Sequence, residues 1–162
     1  THHEPGPHPE PVGNRACDQQ TDRPRRRSQA TDEGEDPALH LGRDDASVEE
    51  ARALLGERAL IGVSCYGDIS LALRAQRAGA DYVSFGACFR SPTKPKEALV
   101  PLAVFAEARR RLKVPLVAIG GITPENAPLV YAAGADMVSV VSSVFAGAKT
   151  GQAVKEFNRR KK

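Results

Sequence analysis

Ser91-Pro92-Thr93-Lys94-Pro95 sets two hydroxyls and one ammonium between stiffening prolines, directly after the apolar run DYVSFGACF (81–89). Hydroxyl and ammonium donors in a rigid loop suit an anion, and Lys94 could neutralise a phosphate or a leaving group. Gly120-Gly121-Ile122-Thr123 follows another apolar run and precedes a helical pattern. A glycine pair there offers unblocked backbone N–H groups and a positive helix end, both suited to phosphate. Ser142-Ser143, after a further apolar run, could donate to the same phosphate. Asp44 and Asp45 could hold Mg²⁺, which takes carboxylates together with a ligand phosphate. Ser64 closes one more apolar run. Each feature has a plainer reading: a tight turn, a helix cap, a solvated turn, a surface lysine. His40 reads as a strand residue without chemistry. Cys65 and Cys88 read as small apolar fillers, since nothing beside them marks an activated thiolate.

The elements that must position these groups begin at Ala38. Apolar runs ALHLG, ALIGVS, DYVSFG, VPLVAIGG and DMVSVVS alternate with helical patterns. SVEEARALLG opens on a capping box, Ser47 with Glu50, and closes on Gly56. GDISLALRAQRAG starts near Asp68 and stops at Gly79. ALVPLAVFAEARRRLK ends in a basic turn that suits the helix dipole. TPENAPLVYAAG is expected to have Thr123 as N-cap, Pro124 at the first helical position and Gly134 as the stop. GQAVKEFNRR closes the series. RAGADYVSFG (77–86) echoes AAGADMVSVV (132–141). The strands read as continuous apolar runs, which predicts a parallel α/β sheet covered by helices, with five strands each followed by a helix. In such folds ligands bind at the C-terminal strand ends, where all the groups above collect.

Residues 1–37 differ. Half of the chain's 12 prolines lie there and apolar residues are few, so a disordered tail is expected, followed by one domain over 38–162. His2, His3 and His8 read as solvated tail residues, not a metal tract. Acidic residues outnumber arginines around Arg25-Arg26-Arg27, and the net charge of +3 is small, which argues against nucleic acid. No apolar run approaches the roughly 18 residues of a membrane span. The N-terminal residues hold no apolar stretch of the signal-peptide kind. Three cysteines without CxxC spacing favour a reducing compartment, the cytoplasm.

From Ala38 to about Ala148, the segments HLGRDD, IGVSCY, GADYVSFGACFRSPTKP, VAIGGITPEN and GADMVSVVSSVF resemble the thiamine phosphate synthase family, in order and spacing. The resemblance implies a TIM-barrel-type fold. It implies an enzyme joining hydroxymethylpyrimidine diphosphate to thiazole phosphate with Mg²⁺, releasing pyrophosphate. Asp45 would then be a Mg²⁺ ligand and Ser64 would contact the pyrimidine diphosphate. Ser91, Pro92 and Thr93 would hold the thiazole phosphate, and Lys94 the diphosphate leaving group. Gly121, Val141 and Ser142 would cradle the thiazole phosphate. Arg43 stands where the family usually has Gln, and Cys65-Tyr66 replaces a common Thr-His.

The family's first three βα units have no counterpart in residues 1–37, and with them go its Gln-x-Arg-x-Lys motif, its Asn-Asp pair and a second Mg²⁺-binding aspartate. An incomplete barrel of about five strands is therefore expected, with open edges that invite pairing with another chain. A synthase whose N-terminal portion is missing or was read in another frame is one expected origin. The competing readings are a thiazole tautomerase and a phosphate-binding remnant without turnover.

Overall fold

A computed structural model describes residues 37–91, 98–145 and 150–159. Nearly all of the expected tail, and Pro92, Thr93 and Lys94, lie outside the described residues. Strands β1 (Ala38–Leu41), β2 (Leu60–Ser64), β3 (Tyr82–Phe85), β4 (Leu116–Ile119) and β5 (Met137–Ser139) form one sheet in that spatial order. Every pairing is parallel. Between and after them come α1 (Val48–Leu55), α2 (Ile69–Ala78), α3 (Ala103–Arg111), α4 (Ala127–Ala132), α5 (Ser142–Phe145) and α6 (Thr150–Arg159).

Local chemistry places most helix ends. The Ser47 hydroxyl accepts from Glu50 N, and the Glu50 carboxylate accepts from Ser47 N, so both halves of the capping box form. Asp68 accepts from Ser70 N and Leu71 N, and α2 ends on left-handed Gly79. The start of α4 corrects the expectation of Thr123 as cap and Pro124 as first helical residue. Its N-cap is Asn126, with Pro128 in the first turn. The Asn126 side chain accepts from Thr123 N and donates to Gly121 O, which holds 123–126 as a turn.

The central strands are buried almost without a break, as the continuous apolar runs predict: residues 61–63, 83–85 and 116–118 are all buried. Leu41, Ile61, Val63, Val83, Phe85, Leu116 and Ala118 face the helices and are buried. Phe85 meets Phe105 of α3 edge to face, centroids 5.6 Å apart, an arrangement that adds roughly 0.5–1.5 kcal/mol to burial itself. The opposite face carries His40, Gly62, Ser64, Tyr82, Ser84, Val117, Ile119 and Ser139.

At the N-terminal end of the sheet one device occurs twice. Asp81, just before β3, accepts from Ile61 N at the start of β2 and from Arg52 of α1 (2.7 Å). Asp136, just before β5, accepts from Leu116 N at the start of β4 and from Arg109 of α3. Each arginine also donates to a glycine carbonyl, Gly79 or Gly134. A strand start, a helix and the preceding turn are thus tied by one carboxylate and one guanidinium.

Candidate active site

The C-terminal strand ends form the opposite rim. Asp45 lies in the loop after β1, exposed, and accepts from Gly42 N at 2.6 Å. Ser64 is the last residue of β2. Ser91 follows β3, Gly121 follows β4, and Val141 and Ser142 follow β5. The structure therefore brings Asp45, Ser64, Ser91, Gly121, Val141 and Ser142 to one rim.

Backbone contacts knit three of these loops. Cys88 N donates to Ile119 O and Phe89 N to Gly120 O, so the chain leading into Ser91 continues the β3–β4 pairing beyond the strands. Gly121 has φ 61°, and a Cβ there would stand 2.4 Å from Phe89 O and 2.5 Å from Arg90 O. Only glycine allows that approach. The Ser143 hydroxyl donates to Ile122 O, linking the end of β5 to the same turn. Ser143 is thereby occupied in positioning the loop. Ser142, beside it, is exposed.

His40, read from sequence as inert, sits in the most connected polar cluster on the open face. Its Nε2 lies 2.9 Å from Ser64 Oγ and its Nδ1 lies 3.0 Å from the Tyr82 hydroxyl. The two rings stack with centroids 5.6 Å apart. Register explains the contact. His40 pairs with Gly62, and Gly62 with Tyr82, across three adjacent strands. A Cβ on Gly62 would lie 2.0 Å from the Tyr82 ring, so the tyrosine crosses β2 through the space a side chain would fill. A glycine inside a strand pattern signals such a close approach and was the one trace of this cluster in the sequence.

A cavity of about 260 Å³ on this face is lined by His40, Tyr82, Ser84, Val117, Ile119 and Ser139. Desolvation lowers the His40 pKa below the ordinary histidine value, against the opposing pull of the Asp45 charge, so the ring is neutral at pH 7. Desolvation raises the Tyr82 pKa and keeps the phenol a hydrogen-bond donor. Burial pushes the Cys65 thiol up to about 12 and the Cys88 thiol up to about 11, which makes both poor nucleophiles at neutral pH. At the outer rim the Arg43 guanidinium lies over the Tyr66 ring, 4.6 Å from its centroid. The two departures from the family pattern therefore touch each other.

Among the described residues, no three His, Cys, Asp or Glu side chains gather as a metal nest. Asp45 could offer Oδ1 to a cation, because Oδ2 binds Gly42 N and Oδ1 has no such backbone bond.

The protein-family model described as thiamine monophosphate synthase matches residues 33–144. The chain belongs to the thiamine monophosphate synthase family. Thiamine-phosphate synthase of Thioalkalivibrio sulfidiphilus is 57% identical over 108 residues, 67% of this chain and 51% of that protein. The Nitrosococcus oceani protein of the same name is 53% identical over 107 residues, 66% of this chain and 49% of that one. This family member thus spans about half the length of the curated relatives it matches. A solved thiamine phosphate pyrophosphorylase from Pyrococcus furiosus superposes with TM-score 0.67 at 30% identity, over 77% of this chain and 58% of that one. A 3-hexulose-6-phosphate synthase, 17% identical with TM-score 0.56 over 76% of this chain and 61% of that one, shares the fold. The sheet and these likenesses show the expected parallel α/β fold of TIM-barrel type, with five strands among the described residues. No described helix is long and apolar enough to cross a membrane.

Proposed function

We propose that the rim is the five-strand share of a thiamine phosphate synthase site. That site condenses hydroxymethylpyrimidine diphosphate with thiazole phosphate, giving thiamine phosphate and pyrophosphate. The observation that carries the reading is the convergence of Ser64, Ser91, Gly121 and Ser142 on one rim, with the approach to Ser91 fastened to the Gly120-Gly121 turn.

Each residue has a task in that reaction. Gly121, Val141 and Ser142 hold the thiazole phosphate, mainly through backbone N–H groups, and Ser91, Pro92 and Thr93 share in holding it. The Ser64 hydroxyl donates to the pyrimidine diphosphate, and Lys94 offsets the charge that grows on the leaving pyrophosphate. Holding both substrates in one geometry removes most of the entropic barrier to their meeting. Asp45 would supply one carboxylate oxygen to Mg²⁺, which when bound neutralises diphosphate charge. The two buried, unactivated thiols accord with a cytoplasmic setting.

The test is pyrophosphate release by the purified chain with both substrates and Mg²⁺, alongside Lys94→Ala. Release lost in the variant is the expected result. Binding of thiazole phosphate without release, in folded protein, would replace this reading with a phosphate-binding remnant. Turnover of one thiazole substrate alone would replace it with a tautomerase.

A further inference from the structure

The cluster Tyr82–His40–Ser64 has a direction. A neutral imidazole carries one N–H donor and one bare acceptor nitrogen, and here both nitrogens have hydroxyl partners. Two arrangements satisfy it. In one, the phenol donates to Nδ1 and Nε2–H donates to Ser64 Oγ. In the other, the Ser64 hydroxyl donates to Nε2 and Nδ1–H donates to the tyrosine oxygen.

The donors decide between them. A phenol is the stronger acid and the better donor to an imidazole nitrogen than an aliphatic hydroxyl is. The first arrangement also leaves the serine hydrogen free, whereas the second spends it on His40 and presents only lone pairs outward. Lone pairs repel phosphate oxygens, and a hydroxyl hydrogen attracts them.

We infer that Tyr82 is a positioning residue: its hydroxyl fixes His40 as the Nε2–H tautomer, and His40 in turn aims the Ser64 hydroxyl hydrogen at an anion on the rim. Gly62 is the enabling feature, because its missing side chain lets the ring cross β2. The equivalent position of the second repeat is Met137, which has no hydroxyl to donate. The inference deepens the synthase reading and rests on it only for the identity of the anion, a diphosphate.

The experiment is ¹⁵N resonance of the histidine-labelled full chain, with His40→Asn to assign the signal. The expected result is an Nε2–H pattern in the unmodified chain and a move toward Nδ1–H in Tyr82→Phe, which keeps the ring and its packing. Gly62→Ala, which pushes the tyrosine ring aside, should move the signal the same way. An Nδ1–H pattern in the unmodified chain, or a tautomer unmoved in both folded variants, overturns the inference. The ligand is read separately by titration with inorganic pyrophosphate and Mg²⁺. Ser64→Ala and Tyr82→Phe should each weaken binding several-fold, and the double variant no more than Ser64→Ala alone. Undiminished binding by Ser64→Ala overturns the assignment of Ser64 to the diphosphate, while the tautomer still judges Tyr82.

Discussion

The segments GADYVS (79–84) and GADMVS (134–139) build the same floor and different walls. Gly79 and Gly134 are both left-handed, with φ 97° and 113°. Asp81 and Asp136 make the same pair of bonds, to a neighbouring strand start and to an arginine. The residue after each aspartate then diverges. Tyr82 crosses to His40, whereas Met137 is 41% exposed at the sheet edge. Surroundings diverge too: side-chain exposure is 9% for Arg52 and 26% for Asp81, against 37% for Arg109 and 46% for Asp136. The repeated part is what a parallel strand needs in order to start in register. The part that varies is what shapes the open face.

The sharpest test of that division is stability. Arg52 donates to Ala59 O, Gly79 O and Asp81, so Arg52→Ala leaves a half-buried carboxylate and two carbonyls short of a donor and should cost about 2–3 kcal/mol. Arg109→Ala, in the wetter copy, should cost about 1 kcal/mol. Equal losses in urea denaturation would erase the distinction between central and edge clamp. Gly121→Ala lies on the C-terminal rim and should cost roughly 1–3 kcal/mol, because it combines positive φ with a clash against 89–90. It should also abolish thiazole phosphate binding, measured by calorimetry.

Converting one wall into the other is gentler. Tyr82→Met should lose about 1 kcal/mol for the missing hydrogen bond and reduce pyrophosphate binding, whereas Met137→Tyr should leave that binding unchanged. The smallest effects are titrations. His40 has a lowered pKa in the fold, so its contribution is full above the unfolded value of 6.5 and is lost as pH falls below it. Tyr82→Phe should reshape that acid limb in denaturation curves, and Met137→Leu should not. Cys65 and Cys88 have raised values, so their contribution holds below 9.0 and fades as pH rises toward 11 and 12. Iodoacetamide at pH 8 should alkylate both several-fold more slowly in folded than in denatured chain.

What could be read from the sequence was what a few neighbouring residues decide. The Ser47–Glu50 box, the Asp68 cap and the positive-φ glycines 56 and 79 are short-range events, and each stands where its motif lay. The rim was legible for the same reason, since each polar group directly follows its own apolar run. The start of α4 was missed because two caps competed within four residues, and Asn126 reaches both Thr123 N and Gly121 O. His40 and Tyr82 were passed over because their meeting depends on the register of three strands and on the absence of one side chain between them. Forty-two positions separate them, and no local pattern encodes that.

Gly62 gives that absence a use. The volume it leaves and the volume Tyr82 fills are one quantity divided between two positions. Changing either alone creates a collision or a hole, while exchanging them together, as in Gly62→Tyr with Tyr82→Gly, would keep the total constant and move the wall of the cavity from β3 to β2. An engineer wanting this scaffold to accept a different ring beside Ser64 should therefore vary the two sites as a pair, and a library that randomises them independently would spend most of its members on misfits.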